Sequence, residues 1–142
     1  MKKFIILSFV IILFVSCKKE SSITESTGED VQLFGKWEWT ESCGGFAGGY
    51  YYPEEGKKIV HLFSPDGMYY SFRNDTITNQ SKYSLTKQKS IYSGELLDFI
   101  VFESKADDEV IIKLSADSLI LGDNYFDGYT SLYKRVKWQN IF

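Results

Sequence analysis

From Lys36 onward, apolar residues recur at alternate positions in short runs separated by clusters of Gly, Asp, Asn and Ser. Period two is the spacing of a strand with one buried face. Lys36 to Ser42 is the first run, with Trp37 and Trp39 on one face. Lys57 to Phe63 follows, then Ser64-Pro65-Asp66-Gly67, where Pro after the first position and a closing Gly predict a type I turn. Met68 to Arg73 completes that hairpin. Ile77 to Lys87 is polar and is expected to be an exposed or edge strand. Leu96 to Glu103 is the most apolar run, and Asp107-Asp108 separate it from Glu109 to Leu114. Ser118 to Leu121 and Tyr129 to Val136 complete about eight strands, with no convincing amphipathic helix beyond residue 17. Short strands joined by tight turns predict an all-β fold. The expected architecture is an eight-stranded antiparallel up-and-down barrel, where closure removes exposed edges. A Greek-key sandwich is the alternative.

The first seventeen residues depart from this pattern. Lys2 and Lys3 precede a nearly continuous apolar stretch from Phe4 to Val15, twelve residues long. That is shorter than the ~20 residues a membrane-spanning helix needs, so it reads as a signal peptide core, removed on maturation. An uncleaved single-span anchor is the alternative, disfavoured by that length and by Lys18-Lys19-Glu20 directly after it. Phe14-Val15-Ser16-Cys17 resembles the bacterial lipobox, with Phe14 where Leu, Val or Ile is usual. The resemblance implies cleavage before Cys17 and lipidation of Cys17 with acyl chains such as palmitate. Each buried methylene contributes ~0.8 kcal/mol, and stable anchoring takes more than one chain. The implied address is the bacterial cell envelope, on the outer membrane, with the periplasmic or surface face left open. Lys18 argues against the inner-membrane retention signal, best known for Asp at that position.

Cys17 to Asp30 is rich in Ser, Thr and Glu and nearly free of apolar residues, the composition of a flexible tether. The chain is thus expected to divide into a signal peptide (1–16), a lipidated cysteine with linker (17–32), a barrel domain (33–136) and a C-terminal tail (137–142).

Charge narrows the function. Without residues 1–16 the chain keeps 14 basic and 19 acidic side chains, a net charge of −5. Nucleic-acid binding runs on clustered Lys and Arg, so no nucleic-acid partner is expected. With Cys17 lipidated, Cys43 is the one other cysteine and no internal disulfide is available. Ten Tyr and eleven Phe against two Pro suit strands and a packed interior.

From Leu33 to Val136 the chain resembles the lipocalin-like small lipoproteins of Bacteroidetes-type bacteria. The residues carrying the resemblance are Leu33-Phe34-Gly35-Lys36-Trp37, Phe63-Ser64-Pro65-Asp66-Gly67-Met68-Tyr69, Leu119-Ile120-Leu121, Asp127-Gly128 and Tyr133-Lys134-Arg135. In lipocalins a G-x-W opens the first strand, its Trp plugs the closed end, and an Arg from the last strand packs over the ring. The resemblance implies those barrel-closing roles for Trp37 and Arg135. It implies no single function, because such barrels hold very different things.

The candidate binding residues are Tyr50, Tyr51, Tyr52, His61 and Tyr69. The glycines of Cys43-Gly44-Gly45-Phe46-Ala47-Gly48-Gly49 read as a loop over the barrel mouth, either able to hinge or simply a long hairpin loop, with the tyrosines offering amphipathic surface. It lacks the ending of a phosphate loop. His61 shares a face with Ile59 and Phe63 and is expected to point inward, where it could hydrogen-bond a ligand; a satisfied core or surface histidine is the alternative. One histidine excludes a multi-histidine zinc site, and no signature supports a Cys43–His61 nucleophile pair. Asp123 to Gly128 imitates a calcium loop, but Lys134 stands where the bidentate Glu is required. Glu54 and Glu55 are adjacent and cannot flank one glycosidic bond. No metal, cofactor or catalytic residue is expected. Asp75-Thr76-Ile77 and Asp117-Ser118-Leu119 resemble a short O-glycosylation motif, with ordinary turn residues favoured. The leading expectation is a non-catalytic binding module for a small apolar or amphipathic ligand. The alternative is a protein-interaction module, such as an envelope inhibitor or an accessory subunit of a surface complex.

Overall fold

The computed structural model describes residues 33–104 and 108–137. The signal peptide, Cys17, the linker and residues 138–142 of the expected tail lie outside the described residues. Nine strands follow one another: β1 (Gly35–Gly44), β2 (Gly49–Tyr51), β3 (Ile59–Phe63), β4 (Met68–Arg73), β5 (Thr76–Lys89), β6 (Leu96–Phe102), β7 (Glu109–Leu114), β8 (Ser118–Asp123) and β9 (Tyr129–Val136). Neighbours in sequence are antiparallel neighbours in space, and β1 pairs with β9. The sheet therefore closes into an eight-stranded up-and-down barrel from β1 and β3 to β9. The short β2 folds back on the upper half of β1, with Ser42 opposite Tyr51 and Gly44 opposite Gly49.

Alternation along each strand sets the core. Trp37, Phe63, Tyr69, Ile100, Phe102, Leu119, Leu121 and Tyr133 point inward and are buried around Leu33. Their rings interlock, with Phe63 5.2 Å from both Tyr69 and Tyr83, and Tyr69 4.8 Å from Phe102. Such tilted and edge-on pairs are favoured by the ring quadrupole. The turn from Ser64 to Gly67 forms as the sequence predicts, closed by Gly67 N–H donating to Ser64 O at 3.1 Å.

Trp37 is fully buried where β1 meets β9. Its indole N–H donates to Leu33 O at 2.8 Å, so the one polar group of a fully buried ring has a partner. The Arg135 guanidinium lies 4.0 Å over the ring. Arg135 also donates to Phe34 O at 2.7 Å and to Ala116 O, tying β9 to the chain entering β1 and to the β7–β8 turn.

Two details depart from plain alternation. A bulge between Trp39 and Glu41 turns Ser42 and Gly44 inward and Cys43 outward, and Thr40 Oγ1 donates to Leu132 O at 3.0 Å there. β5 is polar although it has neighbours on both sides. Among the described residues its first half pairs mainly with β4 and its second half with β6. Lys82, Lys87 and Lys89 on such a strand discourage pairing with another chain.

Replacing Arg135 with Met keeps a stem over the ring and removes the charge and the donors. The expected loss is about 1–3 kcal/mol in urea unfolding, from the cation–π contact and the bonds to carbonyls. A loss below about 0.5 kcal/mol would show that closure does not use the guanidinium.

Candidate functional site

The sequence-selected residues fall into two sets. His61 and Tyr69 do point into the barrel, their rings 5.3 Å apart and edge-on, with Tyr133 5.0 Å from His61. They form a packed polar layer above the aromatic plug. Tyr69 and Tyr133 are buried there. A cavity of about 20 Å³ adjoins this layer, lined by residues that include Glu109, Asp123, Ser131 and Tyr133. That is room for one water molecule. His61 and Cys43 stand on opposite faces of the sheet, since Trp37 pairs with His61 inside while Cys43 pairs with Thr130 outside.

Tyr50, Tyr51 and Tyr52 are exposed at the rim instead. Tyr51 meets Tyr129 at 5.5 Å, and hydrogen bonding to Tyr51 holds the Tyr129 phenol above its ordinary pKa. The Gly-rich stretch is a β-hairpin, the plainer of the two readings of its composition. A side chain at Gly44 would meet Gly128 O at 2.3 Å, and Gly44 has a φ of 130°. Gly45 N–H donates to Gly128 O at 3.3 Å. These glycines bring the β1–β2 hairpin against the β8–β9 turn. That turn is held by Asp123, whose Oδ2 accepts from Tyr129 N–H at 2.9 Å and Tyr125 hydroxyl at 2.8 Å.

A well-formed concavity among the described residues lies on the flank of the barrel. Among the described residues β6 and β7 share two ladder pairs, Phe99 with Val110 and Ile100 with Glu109. Beyond them the strands part, and a bulge at Ile112 shifts β7 further. Released from β7, the β5–β6 hairpin reaches the β8–β9 turn. Ile91 N–H donates to Asn124 Oδ1 at 3.0 Å, and Tyr92 hydroxyl donates to Tyr125 O. Between this tip and the strands is a groove of about 470 Å³. Its apolar walls are Leu97, Val110 and Ile112, Tyr92 and Tyr129 stand at its edge, and Gly122 forms part of its floor. A side chain at Gly122 would come within 2.7 Å of Ile112 Cδ1 and 3.3 Å of Val110 Cγ1, so glycine keeps the groove open.

None of these groove residues was selected from the sequence. A signal was present: Leu96 to Phe102 is apolar at every position but Asp98, and a strand apolar on both faces predicts cover on both. Phe99 and Val110 face outward yet are 0% and 4% exposed. Among the described residues, no three His, Cys, Asp or Glu side chains are placed to hold a metal ion.

Burial raises the phenol pKa values of Tyr69 and Tyr133 well above the usual tyrosine range, and the Glu109 carboxylate adds to the shift in both. The unfolded chain loses these protons near pH 10 while the folded chain keeps them. Stability is therefore expected to fall as pH rises above about 10, each phenol contributing up to about 1.4 kcal/mol per pH unit. Urea midpoints from pH 8 to 11.5 check this, and Tyr133→Phe is expected to make the decline shallower. A flat profile in both proteins would contradict the placement.

Comparisons of the chain with family models, with curated proteins and with solved structures find no match in any of the three.

Proposed function

We propose that this chain is a lipocalin-like lipoprotein, anchored through Cys17 to the bacterial outer membrane. Its barrel is a non-catalytic binding module for a small apolar or amphipathic ligand. The flank groove carries the reading. Its volume falls within the roughly 300–1,000 Å³ of small-molecule sites, and it joins apolar walls to a few hydroxyls at the edge. Leu97, Val110 and Ile112 offer the apolar contact, while Ser90, Ser93, Thr130 and the Tyr92 hydroxyl offer hydrogen bonds to a polar end. The packed lumen below the mouth supports a ligand on the flank over one inside the barrel. His61 and Tyr69 then serve the fold, and the rim tyrosines border the site.

The exposed rim favours a second reading, a protein-interaction module. Phe46 is 95% and Phe126 78% exposed, and their two loops are joined by the Gly45–Gly128 bond. Exposed aromatics grouped at one end of a domain are a common mark of a protein interface.

The groove is tested with 2-naphthalenemethanol, a neutral probe, dialysed against the full chain in zwitterionic nanodiscs with empty nanodiscs as reference. The wild type is expected to bind it, and Gly122→Leu to lower its affinity by about tenfold or more. Ile112→Trp fills the same space from a half-exposed position, so it blocks the groove without burdening the core. Equal binding by both variants and the wild type would place the probe elsewhere.

A further inference from the structure

The groove's surroundings are one-sided in charge. Three segments meet at this end of the barrel: 41–55, 90–98 and 121–131. Together they carry seven carboxylates, Glu41, Glu54, Glu55, Glu95, Asp98, Asp123 and Asp127, and no Lys or Arg. The contacts that bring them together are Gly45 with Gly128, and Ile91 and Tyr92 with Asn124 and Tyr125. Two of the carboxylates are neutralised from just outside, Glu54 by Lys57 and Asp98 by Lys87. The other five are in no ion pair among the described residues.

Position within the groove sharpens this. Asp123 is the one charged side chain in the lining. Glu95 closes the loop that supplies Ser90, Tyr92 and Ser93, and Asp127 precedes Gly128, which also lines the groove. The cations nearest the lining in sequence are Lys89 and Lys113. They leave the carboxylates in excess. Carboxylates beside low-dielectric apolar walls focus a negative potential, and Tyr and Phe faces add attraction for a cation.

We propose that the groove's occupant is a small amphipathic cation: an apolar or aromatic body against Leu97, Val110 and Ile112, with an ammonium group at the acidic rim. This rests on the reading of the groove as the ligand site. An anionic amphiphile of the same body meets repulsion from Asp123, Asp127 and Glu95 and is disfavoured. The preference falls as salt rises, because the rim charges are solvated and are screened within about a Debye length.

Three probes with one body and different heads separate the terms: 2-naphthylmethyl-trimethylammonium, 2-naphthalenemethanol and 2-naphthylmethanesulfonate. Each is dialysed against the full chain in zwitterionic nanodiscs, with empty nanodiscs as reference. The expected order is cation, neutral, anion, with the cation at least about tenfold tighter than the anion at low salt. In 0.5 M salt the ratio is expected to approach one. Glu95→Gln with Asp127→Asn should reduce the ratio severalfold while leaving the neutral probe unchanged. Asp127 has a φ of 61°, a conformation Asn also adopts, so that change does not strain the turn.

Equal binding of all three probes would overturn the cation preference and leave the groove reading intact. Binding of none would overturn both. A preference for the cation that survives the double variant would place the charge recognition elsewhere and overturn the proposal.

Discussion

Among the described residues two ladder pairs join β6 to β7, and the distinctive features of this barrel follow from the parting of the two strands beyond Phe99. A barrel whose strands pair along their full length has a covered interior and a plain outer wall. Here β5 passes from β4 to β6 halfway along its length, and the β5–β6 hairpin leaves the wall beyond Phe99. Outward-facing apolar side chains on β6 and β7 then need cover, since exposing them to water costs about 25 cal/mol per Å². The hairpin tip supplies part of that cover by reaching the β8–β9 turn, and the space left between is the groove.

The opposite side of the barrel makes this arrangement affordable in structural terms. β1 pairs with β9 from Lys36 to Gly44, while β3 and then β2 occupy its other edge. Trp37 and Arg135 stack at the same junction. One side of the wall is thus continuous and the other splayed. The rigid side positions three loops, and the splayed side receives them. Binding surfaces on a scaffold of this kind combine a fixed frame with side chains brought together from distant segments.

Much of the fold was legible in the chain. Strand positions from β3 onward, the Ser64–Gly67 turn and the Trp37–Arg135 pairing follow from alternation, turn chemistry and a family resemblance in Gly35-Lys36-Trp37. What escaped was non-local. The glycines at 44 and 45 read as freedom, whereas they serve a close approach to Gly128, a residue more than eighty positions away. The bulges at Thr40 and Ile112 change which residues face inward, and no local pattern announces them. The groove escaped because the runs Leu96 to Glu103 and Glu109 to Leu114 read simply as strands, with nothing to separate the two faces of Leu97, Phe99 and Val110. Their burial comes from the outside of the wall, and only the unbroken apolar run of β6 hints at it. Tyr50, Tyr51 and Tyr52 were selected for amphipathic character and do stand at the rim, while His61 and Tyr69 belong to the packed layer within.

The central claim is that this barrel offers its binding surface on its flank and keeps its lumen filled. Backbone amide shifts of the isotope-labelled chain, followed during titration with 2-naphthalenemethanol, test it most directly. The account predicts the largest changes at Leu97, Val110, Ile112, Gly122 and Thr130, with His61, Tyr69 and Ser71, which faces inward opposite His61 on β4, unmoved. Changes concentrated at His61, Tyr69 and Ser71 would contradict it, because they would place the ligand inside the barrel.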